Sequence, residues 1–217
     1  MTTTPATRSR HLPEPVLPGI WQWSVWSEEK QLYFNGHACL VGETDLLLID
    51  PPSAEPEVAS ALKALGRPML ILLTNGHHER EAQALRKALE IPLAMPMQDV
   101  PLLEDYPDLT FQDGDWLPGG WLVIQLADQK TPGECALYRE ADGVMILGDA
   151  LIRPEGQTLR MLPADKYDDP ALAKTGLLTL AHPERPVHAL LLGDGESLLK
   201  DAGERLQAAL KAMADHD

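Results

Sequence analysis

The stretch LTNGHHEREAQAL, residues 73–85, places His77, His78 and Glu79 directly behind an apolar run, Met69-Leu70-Ile71-Leu72-Leu73, and ahead of an amphipathic pattern. Imidazole nitrogens and a carboxylate in a strand-to-helix turn make a donor set suited to a divalent transition metal. Two other positions have the residue type of a nucleophile but lack its setting. Cys135 has a lysine, Lys130, five residues before it, which would favour a thiolate, but no His or Asp spacing around it suggests a catalytic cysteine. Ser197 in GDGES lacks the G-x-S-x-G order of a nucleophile elbow and reads as a helix N-cap. His37, in FNGHACLV, reads as a core or surface histidine, and His182 and His188 flank proline-rich turns without partners in sequence.

The elements that would position the histidine turn are legible from periodicity. GIWQWSVWS alternates, with Trp21, Trp23 and Val25 on one face, as a strand packed over a core. The tryptophans, Trp116 and Trp121 included, read as packing rather than as a ligand box. HACLVGETDLLLIDPP reads as two strands around a turn at residues 42–45; its second half, Leu46 to Ile49, is continuously apolar, as in a strand covered on both faces. EPEVASALKALG has helical spacing and a glycine stop, PMLILLT is a second buried strand, and HEREAQALRKALE is a helix. IPLAMP, DLTFQDGDWLPGGWLVIQLA, the hairpin ECALYREADGVMILGDALI and PVHALLLGDG supply further strands. ESLLKDAGERLQAALKAMA closes the chain as a helix with Leu199, Ala202, Leu206, Leu210 and Met213 in line. Residues 1–18, polar and with four prolines, read as an arm, and residues 19–217 as one α/β domain of two sheets with helices outside them.

Composition excludes several partner classes. With 217 residues and 44% hydrophobic content the chain can fill a sizeable core. Lys+Arg 18 against Asp+Glu 33, a net charge of −15, argues against nucleic acid and against anionic membrane surfaces. No apolar stretch approaches the ~20 residues of a membrane span, and the first residues lack the apolar core of a signal peptide. Two cysteines, Cys39 and Cys135, form no disulfide framework, so a cytoplasmic setting is expected. A homodimer is carried only as the commonest assembly of soluble proteins.

Four stretches in order carry a resemblance. LLLIDPP resembles the strand that ends in aspartate in the metallo-β-lactamase superfamily. ILLTNGHHER stands where that family has T-H-x-H-x-D-H, QKTPGECALYREADGVMILGDALI resembles its H-T-P-G hairpin ending in G-D, and HALLLGDGES resembles its terminal strand ending in G-H-G. The resemblance implies an αββα four-layer sandwich and hydrolase ancestry, with a two-metal cleft in which a shared hydroxide attacks an ester, amide or phosphate. Carried over residue by residue, the first signature histidine falls on Asn75, the second on His77, the aspartate on Glu79, the next histidine on Arg80, the hairpin histidine on Lys130, the bridging aspartate on Asp149 and the last histidine on Asp194. Asp50 would brace the signature loop. Only His77 and Asp149 keep their type, and Arg80 and Lys130 would put positive charge where an ion should sit.

The expected function is therefore a metal-free pseudo-hydrolase. Its cleft, formed by Asn75, His77, Glu79, Arg80, Lys130, Asp149 and Asp194, would be a salt-bridge network that binds a small molecule or a protein partner. The alternative is a weak mononuclear hydrolase holding one zinc, manganese or iron ion on His77, Glu79, Asp149 and Asp194, with His78 as a helper. A third reading is a structural protein whose cleft is closed by its own ion pairs.

Overall fold

The apolar run Leu46 to Ile49 shows how the molecule is layered. Leu46 and Leu48 lie in one hydrophobic cluster, Leu47 and Ile49 in another, and all four are fully buried. A strand alternates its side chains between two faces, so an unbroken apolar run requires cover on both. The structure, a computed structural model, describes residues 11–215. Its first sheet runs β1 (Glu14–Leu17), β2 (Ile20–Ser27), β3 (Leu32–Val41), β4 (Asp45–Ile49), β5 (Arg67–Leu72), β6 (Leu93–Pro96) and β7 (Leu109–Phe111), in that order. The second contains β8 (Trp116–Leu117), β9 (Trp121–Gln125), β10 (Cys135–Arg139), β11 (Val144–Leu147) and β12 (Ala189–Leu192), ordered β12-β11-β10-β9-β8. β4, β5, β6 and β7 pair in parallel, as do β11 and β12, and the remaining pairings are antiparallel.

Three clusters separate four layers. Helices α1 (Pro56–Leu65) and α2 (Ala82–Leu89) cover the outer face of the first sheet through Val58, Leu62, Leu85 and Leu89. The sheets face each other through Leu47, Ile49, Leu72, Val123, Leu137, Ile146 and Leu191. Helices α3 (Pro170–Leu177) and α4 (Ala202–Ala214) cover the second sheet through Leu177, Leu206 and Leu210, against Met145, Leu147, Leu190 and Leu192. β11 and β12 thus repeat the two-faced alternation of β4. This is the αββα sandwich that the resemblance implied.

Several local readings are corrected. Glu14–Leu17, placed within the arm, pairs antiparallel with β2, and residues 1–10 of that arm lie outside the described residues. The helix expected from His78 onward is instead a 3-10 turn, Gly76–Glu79, followed by α2 from Ala82; Arg80 has φ 38°, a left-handed conformation that interrupts the helix. The closing helix starts at Ala202, after Asp201 at φ 54°, so Leu199 is 41% exposed and Leu198 is buried in its place. Ser197 caps no helix: its Oγ donates to Gln22 Oε1 and accepts from Leu192 N–H. Helix α3 has no apolar periodicity to announce it, but Asp169 accepts from the Ala171 and Leu172 N–H groups and Pro170 begins the helix, a pairing of cap and first residue visible in the sequence. Among the described residues no helix is long and apolar enough to cross a membrane.

Candidate functional site

The carboxyl ends of β4, β5, β11 and β12 meet at one rim, the place where open α/β sheets gather their polar residues. Asp50, following β4, is fully buried. Its Oδ1 accepts from Thr74 N–H at 2.8 Å, and its Oδ2 accepts from Thr74 Oγ1 at 2.6 Å and faces His78 Nδ1 at 2.8 Å. Asn75 accepts from the His77 and His78 N–H groups and so shapes the 3-10 turn. Asp99, also fully buried, accepts from Gly76 N–H and Gly133 N–H, both at 2.7 Å, and ties this turn to the loop that carries Lys130.

His78 points its other nitrogen at two carboxylates. Nε2 lies 3.5 Å from Asp149 Oδ1 and 4.0 Å from Asp194 Oδ1. Each carboxylate also has a cation. Lys130 Nζ donates to Asp149 Oδ2 at 2.5 Å, and Arg80 Nη2 donates to Asp194 Oδ1 at 2.5 Å. The Arg80 guanidinium stacks over Phe34, 4.6 Å from the ring centroid, and its Nη1 reaches Asn35 O at 3.3 Å. The Arg80–Asp194 pair is deeper than the other: side-chain exposure is 12% and 10%, against 26% for Lys130 and 5% for Asp149.

Backbone approach makes this density possible. A Cβ on Gly193 would meet His78 Cε1 at 2.5 Å, and one on Gly148 would collide with Thr74 Oγ1 and Asn75 Nδ2. Glu134 adds a buried acid: its Oε1 accepts from Ala150 N–H at 3.1 Å, and burial, reinforced by the nearby Asp149 charge, raises its pKa well above the carboxylate range. Asp149 behaves oppositely. Burial alone would raise its pKa, but His78 and Lys130 hold it well below the usual range.

A profile of the metallo-beta-lactamase superfamily matches residues 14–213. The chain belongs to that superfamily. A protein of Aquifex aeolicus (strain VF5), described as uncharacterized, is 26% identical over 159 residues, 64% of this chain and 69% of its own length. Among solved structures, a metallo-beta-lactamase from Pontibacter korlensis superposes with a TM-score of 0.74 at 13% identity, covering 92% of this chain and 98% of that one. One from Hirschia baltica gives 0.72 at 11% identity, covering 93% and 96%. At these identities the likeness shows the fold.

Within this superfamily member the sequence-derived site separates into two groups. Arg80, Lys130, Asp149 and Asp194 converge, joined by His78. His78, Asp149 and Asp194 each offer a ligand atom, and those atoms lie within 4.8 Å of one another. His77, aligned with a ligand position, is instead exposed, and Glu79 accepts from Gln83 on α2. The motif places His77, not His78, at the inward-facing ligand position. The 3-10 geometry and the left-handed Arg80 turn His78 inward and His77 out. Asn75 is fully buried but serves the backbone, and its Nδ2 has no partner. Cys135, buried, donates Sγ–H to Thr74 O at 3.2 Å, and burial pushes its thiol well up, as expected of a packing residue. His37 is fully buried beneath the cluster, and burial pulls it down to about 4. Glu134 and Asp99 were not singled out by sequence. A carboxylate beside Cys135 in an otherwise apolar strand start was the available signal for Glu134.

The charge state of His78 follows from its neighbours. Burial and Arg80 favour the neutral ring, but Asp50 and Asp149 outweigh them and push the pKa up to about 10. One contact opposes this: Arg80 Nη2 approaches Nε2 at 3.0 Å, a hydrogen bond only if the ring is neutral. The imidazolium is favoured because Asp50 and Asp149, both held below the usual carboxylate range, face the ring, and a buried carboxylate without a compensating charge is costly. A group with a raised pKa contributes stability that is complete below its unfolded value, near 6.5, and is lost as pH rises through about 10. Ring nitrogen chemical shifts should show His78 still protonated at pH 8, whereas exposed His77 should be neutral there. A neutral His78 at pH 7 would refute this charge assignment.

Proposed function

We propose that this superfamily member is a metal-free pseudo-hydrolase in which a salt-bridge network occupies the place of the two-metal cleft, and that it acts by binding a small molecule. One observation carries the reading: both acidic members of the His78, Asp149 and Asp194 cluster are already hydrogen-bonded to a cation at 2.5 Å. A divalent ion in their midst would have Arg80 Nη2 and Lys130 Nζ as neighbours, and each would oppose it electrostatically. The donor set therefore does not fit a resident metal, and no catalytic step through one is derived. Instead the two cations neutralise carboxylates that would otherwise be buried and unpaired, the costliest outcome for such groups.

A mononuclear centre is the second reading, favoured by the 4.8 Å clustering of one imidazole and two carboxylates. It would require Arg80 and Lys130 to swing away. Elemental analysis of protein purified without chelator separates the two. Well under one equivalent of zinc, manganese or iron per chain is expected, with no change in melting temperature on adding a chelator. One equivalent that a chelator removes, with a large fall in melting temperature, would establish the mononuclear centre instead.

A further inference from the structure

A cavity of about 580 Å³ opens away from the charge cluster, between residues 158–164, α3 and α4. Its size falls within the ~300–1,000 Å³ range of small-molecule sites. Helix α4 forms one wall. The inward face of this helix, Ala202, Leu206 and Leu210, is buried in the core of the second sheet. The adjoining face presents Ala208, Ala209, Ala212 and Met213 to the cavity, and the three alanines leave open the volume that larger apolar side chains would fill. Met161, Leu162 and Tyr167 also line the cavity; Leu162 N–H donates to the Tyr167 hydroxyl at 3.0 Å and fixes this part of the wall.

The charged residues at this cavity run against the composition of the chain. Acids outnumber bases 33 to 18 overall. Among the described residues, the lining nevertheless contains Arg160, Lys174 and Arg205 and no carboxylate. A molecule of charge −15 repels anions at long range, so a cationic rim around an apolar hollow serves recognition at contact distance. Arginine supplies paired donors that match a carboxylate. The terminal segment MTTTPATRSR does not suit this cavity, since it has two arginines and no acid.

We infer that this cavity binds a small amphipathic carboxylate, with the alkyl chain on the alanine face of α4 and the head group at the cationic rim. The inference does not rest on the metal-free reading of the cleft. It is tested by calorimetric titration of the full chain with decanoate, decan-1-ol and decyltrimethylammonium, each kept below its aggregation concentration. Decanoate should bind saturably, one per chain, and the alcohol and the cation at least roughly tenfold more weakly, the usual scale of one charge-assisted interaction. Arg205→Glu, at an exposed position, should weaken decanoate by roughly tenfold or more, and Ala209→Trp should abolish binding by filling the hollow. If Ala209→Trp fails to fold, Arg205→Glu carries the test alone. Lys130→Met, in the cleft, should leave decanoate affinity unchanged. Absence of saturable decanoate binding, equal affinity for the alcohol, or unchanged affinity in Arg205→Glu overturns the inference. Metal content is read separately, so the two proposals stand or fall independently.

Discussion

Arg80→Met should lower stability by about 3–5 kcal/mol, the scale for removing one partner of a buried ion pair. Asp194, 10% exposed and with a pKa that burial already raises, would lose its closest cation, and Phe34 would lose the guanidinium stacked on it. In a chain of 217 residues that corresponds to roughly 6–20 °C in melting temperature. Backbone strain does not confuse the comparison, because arginine and methionine meet the same resistance at φ 38°. Lys130→Met should cost less, about 1–3 kcal/mol, between the values for exposed and buried pairs, since Lys130 is 26% exposed. Arg80→Met combined with Asp194→Asn should recover part of the loss. Equal, negligible effects of both single substitutions would show that the pairs contribute nothing to the fold.

Asp50→Ala belongs in the same range, about 3–5 kcal/mol, because it leaves three buried donors without their acceptor. Those donors are Thr74 N–H, Thr74 Oγ1 and His78 Nδ1. The loss should depend on pH. Burial alone would raise the Asp50 pKa, but His78, Arg80 and Thr74 prevail and hold it below 3.8. A depressed pKa contributes stability that is present above the unfolded value and lost as pH falls through the folded one. Asp149 adds the same dependence. Urea midpoints should therefore drop below about pH 4, with a shallower drop in Asp50→Asn, on top of a decline that begins below about pH 6.5 because buried His37, held neutral down to about 4, resists charging. An identical acid limb in wild type and Asp50→Asn would remove Asp50 from the account.

The layered fold was legible because its strands carry two-faced apolar runs. DLLLI, VMIL and ALLL demand cover on both sides, and two such sheets demand helices outside them. The convergence of Asp149 and Asp194 with Arg80 and Lys130 followed from the order of the motifs. The choice between His77 and His78 did not, since adjacent residues differ only in which way a turn faces them. That direction is set by Arg80's left-handed backbone and by Gly193, which leaves room for the His78 ring. Spacing has no term for either. The start of α4 was missed for a similar reason: Leu199 fits the helical period, but Asp201 turns the chain first. The cationic cavity was invisible because Arg160, Lys174 and Arg205 come from separate segments whose meeting depends on α3 packing beside α4.

The side chain of Asn35 sets the order in which the rim can be completed. It lies on β3, yet its Nδ2 donates to Leu192 O at 2.7 Å and Gly195 O at 2.6 Å, across 157 and 160 positions of chain. Its Oδ1 meanwhile accepts from Ser24 Oγ at 2.7 Å and Gln22 Nε2 at 3.1 Å. Every hydrogen-bonding site of a fully buried amide is thus shared between the two sheets. Contacts this distant in sequence carry the largest loop-closure cost. While a ribosome is still extending the chain, β1 to β7 have all the pairing partners they need among themselves, but Asn35, Asp194 and the Arg80 guanidinium do not have theirs. The rim becomes whole only when β12 docks, so the charge cluster reports that the two halves of the sandwich have closed in register.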